Sequence, residues 1–189
     1  KDNGGNLGWR QWQEAKPDVE RYLKNNWKDG AEVTFAGHSL GGALAQYAAY
    51  EAAGDYAGRR DTMNLVTLNG LGAVNGIDEN LPGGFDASRI TGVETANFYN
   101  EEDRVPRLGG GHVGDTYNVG SFREGNDGIL TAHSADSFDN KVLNGAKDGS
   151  PDYYKNATTQ MDPETLTEMS STLGDILWNG PEGLSTEQW

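Results

Sequence analysis

Residues 32–54 read EVTFAGHSLGGALAQYAAYEAAG, and the order of residue types in that stretch decides the architecture. Val33, Thr34 and Phe35 favour extended backbone. The Ala- and Leu-rich run from Ser39 to Ala53 favours helix. Between them lies Gly37-His38-Ser39-Leu40-Gly41, a match to G-x-S-x-G. In that pattern a strand turns sharply into a helix and lifts a serine hydroxyl out of the bend. Side chains at Gly37 and Gly41 are expected to collide with neighbouring backbone. Gly42, Ala43 and Ala45 let the new helix lie close to a sheet. Five residues alone are a weak signal; the strand before them and the small-residue helix after them supply the meaning.

Working outward, Trp9, Trp12, Val19, Leu23 and Trp27 fall near helical spacing. Pro17 is expected to break or restart that helix, and Lys28-Asp29-Gly30 to end it. Strands are expected over 64–68 (NLVTL), 93–99 (VETANFY) and 112–119, with a glycine-rich loop over 71–88. Helices are expected over 134–143 and 162–176. The latter has Asp162 as N-cap, Pro163 as its first residue and an apolar stripe of Leu166, Met169, Leu173 and Ile176. Strands alternating with helices predict an α/β domain, a mainly parallel sheet with flanking helices.

The composition narrows the function. Hydrophobic residues make up 35 % of the 189, enough to build a core. The formal charge of −14 repels phosphate backbones, and no basic stripe offsets it, which argues against nucleic acid as a partner. There is no cysteine, so disulfides and thiolate metal sites are excluded. No run of 18 apolar residues exists. The acidic clusters NEED (100–103) and EGND (124–127) lack calcium-loop spacing and read as acidic turns.

A serine hydroxyl needs a base, and the base needs an orienting acid. Three histidines are available. His38 adjoins the serine, where neighbouring side chains point apart, and reads as a packing residue. His133, in LTAHSADSF, is delivered by a loop before a helix and is preferred to His112, in GGGHVGD. For the acid, FYNEEDRVPRL places carboxylates just past a strand. Asp103 is the first choice and Glu102 the second. The order serine, acid, histidine is the one an α/β-hydrolase sheet uses. The first N–H of the helix, at Leu40, is half of an oxyanion hole.

At these residues the sequence resembles the class 3 lipase family of α/β-hydrolases. VTFAGHSLGGALA is close to the family's nucleophile segment, NEEDRVPRL is similar to its acid segment, and His133 falls where its histidine follows. The resemblance covers roughly Trp9 to Asn140. It implies Ser39, Asp103 and His133 as nucleophile, acid and base, no cofactor, and hydrolysis of carboxylic esters, lipid esters foremost. Triacylglycerol lipases, phospholipases A1 and feruloyl esterases all belong to the family, and the triad does not separate them. Two features depart from the pattern. Only residues 1–31 precede the serine strand, where family members carry an upstream half that supplies a second oxyanion donor and a lid. LNGLGAVNG (68–76) also lacks the proline and arginine of G-x-P-R-V-G. The chain is therefore expected to be a single divergent domain over 1–189, a fragment of a longer secreted bacterial polypeptide, meeting an ester substrate and a lipid surface. The alternative is a non-catalytic binding or structural module that keeps the hydrolase fold; a third reading is a peptidase or thioesterase.

Overall fold

The computed structural model describes residues 7–100, 102–118 and 132–134. Four strands form one sheet in the order β1-β2-β3-β4. They are β1 (Val33–His38), β2 (Met63–Leu68), β3 (Glu94–Tyr99) and β4 (Thr116–Asn118). Every neighbouring pair is parallel, with Phe35 opposite Leu65, Leu65 opposite Thr95 and Phe98 opposite Tyr117. The expectation of a mainly parallel α/β sheet is met in these elements. Strand order follows chain order, so each crossover steps one strand sideways.

Alternation along the strands follows the period of two. Phe35, Met63, Leu65, Thr67, Thr95, Asn97 and Tyr99 are buried, and the residues between them are partly or fully exposed. The helix α2 (Leu40–Asp55) lies against β1 and β2. It is apolar nearly all round, with Ala43, Tyr47, Ala49, Tyr50 and Ala53 almost wholly enclosed, as a helix sandwiched between two layers must be. The outer layer is α1 (Trp9–Asn26), which packs on α2 through Trp12 and Leu23. The two helices are joined by Glu51, which accepts from Trp12 Nε1–H at 2.7 Å and pairs with Lys16. Burial alone would lower the Lys16 pKa, but the hydrogen bond and charge of Glu51 outweigh it, and the net shift is upward.

Four expectations are corrected. Pro17 does not interrupt α1, which runs on as one helix. A proline inside a helix costs about 3 kcal/mol; burying Trp12 before it and Leu23 after it contributes roughly 1.5–3 kcal/mol each. The stretch expected as a loop over 71–88 contains α3 (Val74–Asn80), held by the buried Ile77, and a 3₁₀ turn at Ala87–Ile90. The expected strand over 112–119 begins later. Its first residues, His112 and Val113, sit in a loop, and pairing with β3 starts at Thr116. The loop expected at His133 is instead helical there and at Ala132, and Ser134, the expected start of the helix over 134–143, is a bend. The rest of that helix, the expected helix over 162–176, Glu101 and the EGND run lie outside the described residues.

Candidate active site

Because the strands are parallel, their carboxyl ends share one edge, and three chain segments converge there. Ser39 follows β1 directly and is the N-cap of α2. Its backbone sits at φ 55°, ψ −126°, a conformation rare for a residue with a side chain. Surrounding bonds hold it there. The Ser39 N–H donates to Leu68 O at 3.3 Å, and the Ser39 carbonyl accepts from Gly42 N–H at 2.9 Å and Leu71 N–H at 3.0 Å. A Cβ on Gly37 would overlap the Gly41 carbonyl and the Gly42 nitrogen, and a Cβ on Gly42 would overlap Gly70 Cα. Gly41, by contrast, has open space where a Cβ would stand, so the sequence-based expectation of a collision there is corrected: Gly42 is the residue at which helix and sheet backbones meet.

Asp103 comes from the turn after β3, four residues past Tyr99. It is fully buried, and both carboxylate oxygens are occupied. Oδ1 accepts from Val105 N–H at 2.9 Å, and Oδ2 accepts from His133 Nδ1–H at 2.7 Å. The Nδ1 proton is assigned by that partner, since a carboxylate only accepts. His133 Nε2 then faces Ser39 Oγ at 2.8 Å, positioned to accept the hydroxyl hydrogen. The His133 side chain is 18 % exposed and Ser39 is half-buried, so the hydroxyl is within reach of a substrate. Leu40, 37 % exposed, opens α2, where the first N–H groups have no helical acceptor and the helix dipole favours negative charge.

The structure thus brings Ser39, His133 and Asp103 together, with Leu40 alongside. It does not bring His112 to Ser39. That ring closes the loop after β3 by donating from Nε2 to Pro106 O at 2.9 Å, and its Nδ1 has no hydrogen-bond partner among the described residues. Burial pushes the His112 pKa down to about 4, only partly opposed by the bond to Pro106. Glu102 contributes its N–H to the turn, donating to Asn100 Oδ1 at 3.0 Å. His38 does more than pack: its Nε2–H donates to His133 O at 2.7 Å. Asn69, to which the sequence reading gave no part, donates from Nδ2 to Ala132 O at 2.9 Å and accepts at Oδ1 from Asn100 N–H at 2.8 Å. The signal for it is an asparagine set between a strand and a glycine, a place that suits left-handed backbone.

Residues 8–111 match the family model described as Lipase (class 3). The chain belongs to the class 3 lipase family. The parallel sheet, the strand–serine–helix elbow and the flanking helices are this family member's α/β-hydrolase-type core. Among solved structures it is similar to a mutant form of MDLA from Penicillium cyclopium, at 22 % identity and a TM-score of 0.46. That match covers 73 % of this chain and 51 % of the other, so this class 3 lipase chain spans about half the length of that protein. No curated protein matches it.

Proposed function

We propose that this chain hydrolyses carboxylic esters, lipid esters foremost, with Ser39 as nucleophile, His133 as base and Asp103 as its orienting acid. The observation that carries the reading is the unbroken relay from Ser39 Oγ to His133 Nε2 at 2.8 Å and from His133 Nδ1 to Asp103 Oδ2 at 2.7 Å, in a member of the class 3 lipase family. His133 Nε2 takes the hydroxyl proton as Ser39 Oγ bonds to the ester carbonyl carbon. Asp103 stabilises the imidazolium that results. The carbonyl oxygen becomes an oxyanion, and the N–H of Leu40 at the start of α2 donates to it. Collapse breaks the ester C–O bond. The leaving alcohol takes the proton from His133, and an acyl group remains on Ser39. Water then gives a proton to His133 as it bonds to the acyl carbon; the C–Oγ bond breaks, Ser39 Oγ takes that proton back from His133, and the carboxylic acid is released.

A fluorophosphonate probe tests the nucleophile. It is expected to add one adduct to the wild type and none to Ser39→Ala. Turnover of short p-nitrophenyl esters is expected to fall by roughly 10³-fold or more in His133→Ala and Asp103→Asn. A His133→Ala enzyme of near wild-type activity would remove the base. An unlabelled wild type would instead favour a non-catalytic module that keeps the fold. A panel of triacylglycerol, phospholipid and aryl esters assigns the substrate class.

A further inference from the structure

The turn that carries His133 is gripped at two consecutive carbonyls. His38, the last residue of β1, donates from Nε2 to His133 O at 2.7 Å. Asn69, the first residue past β2, donates from Nδ2 to Ala132 O at 2.9 Å. We propose that His38 and Asn69 are positioning residues, a two-point clamp from adjacent strand ends that fixes the His133 imidazole between Ser39 and Asp103. The proposal rests on the ester-hydrolase reading above and deepens it.

Ala132 and His133 belong to no strand of the described sheet, and these two bonds tie their backbone to its strand ends. A base held only by the groups it reacts with would follow them as they move. A base held by its own backbone keeps its ring in place while the Ser39 proton transfers. The His38 ring also lies beside the His133 ring, with centroids 4.9 Å apart and planes tilted by 34°, which limits ring rotation.

Asn69 does a second thing. It is fully buried, and its Oδ1 accepts from Asn100 N–H at 2.8 Å, at the head of the turn that bears Asp103. Asp103 N–H in turn donates to Asn100 O at 3.0 Å. One amide therefore ties the base turn to the acid turn. Asn69 sits at φ 44° in left-handed backbone, which asparagine tolerates better than most residues. Its N–H donates to Phe98 O at 2.8 Å and so fixes it to β3. Both left-handed backbone and a side chain with donor and acceptor are required, which asparagine supplies together.

The test uses the full chain with a fluorophosphonate and p-nitrophenyl butyrate. His38→Phe keeps a ring without the donor. Asn69→Gly keeps the backbone conformation without either bond, and Asn69→Asp keeps the shape but turns an oxygen toward Ala132 O. Each is expected to lower kcat about 10- to 100-fold with KM within about threefold, because small misplacement of a reacting group acts on the chemical step. His38→Gln, whose amide nitrogen reaches the Nε2 position, is expected to recover most of the loss. The downfield proton resonance of His133 Nδ1–H is expected in the wild type and to broaden or move in His38→Phe and Asn69→Asp, with the fold checked by circular dichroism. Variants that label at Ser39, turn over at the wild-type kcat and keep the resonance unchanged overturn the clamp. A wild type that resists the probe overturns the hydrolase reading alone, because the resonance still reports whether the clamp holds His133.

Discussion

Ser39 shows what a single residue must tolerate for the site to exist. Its positive φ is sustained because Gly37 and Gly42 let backbone approach where a Cβ would overlap. The two neighbouring glycines are not equivalent. Gly37→Ala is expected to destabilise the fold by about 3 kcal/mol, since the obstacle is backbone and cannot swing aside. Gly41→Ala, with open space at the new methyl and a place in the first turn of α2, is expected to raise stability by roughly 0.5 kcal/mol through helix propensity. Urea midpoints of the two variants check the contrast; equal losses would mean that the elbow is not packed as described. The motif shows that the corner must be tight. Gly37 meets the Gly41 carbonyl inside the motif, whereas Gly42 meets Gly70, a neighbour that no local rule supplies.

At the scale of elements, Gln46 decides how α2 meets the loops at the site. It is fully buried, yet satisfied. Its Nε2 donates to Leu71 O at 2.7 Å and Gly42 O at 3.1 Å, and its Oε1 accepts from Val113 N–H at 2.8 Å. One side chain thereby joins the helix after β1, the loop after β2 and the loop before β4. Gln46→Leu, close in volume, leaves the enclosed Val113 N–H and Leu71 O without that partner and is expected to cost about 2–3 kcal/mol. A thermal melt unchanged by the substitution would show that other groups or water take over these bonds. The Asn97 amide plays a similar part between strands. It accepts from Thr67 Oγ1–H at 2.8 Å and donates to Val113 O and Asp115 O at 2.9 and 3.0 Å, which holds the approach to β4 against β3. From His112 to Asp115 the chain approaches β4 on these side-chain bonds together with the backbone bond from Asn97 N–H to Asp115 O at 2.9 Å.

Over the whole molecule, stability is expected to depend on pH through His112. Burial holds its folded-state pKa near 4, against an ordinary value of 6.5. Between those values the unfolded chain binds a proton at His112 and the folded chain does not. This contribution is therefore complete above about pH 6.5 and is lost as pH falls toward 4. Urea unfolding of the wild type and His112→Gln at pH 7.5 and pH 4.5 measures it. The variant is expected to gain relative to the wild type at the lower pH, and a constant difference between the two proteins would contradict the buried neutral ring. The formal charge of −14 acts on the same scale, because like charges oppose compaction and added salt screens them.

The sequence by itself determined the strand–elbow–helix unit, the close approach of α2 to the sheet, the α/β class and the pairing of a serine with an acid at a strand end, because each is written in neighbouring residues: β-branched and aromatic runs, small residues at a corner, carboxylates after an apolar stretch. It left α1 uncertain at Pro17 and concealed α3, where local propensity is weak and burial of Leu23 and Ile77 supplies the missing free energy. It preferred His133 to His112 as the partner for Ser39, with no geometry to show it. Only the tertiary structure decided between them, along with the parts of His38, Asn69 and Gln46. Their partners lie 95, 63 and 67 residues away in the chain and become neighbours only when parallel strands bring their ends to one edge.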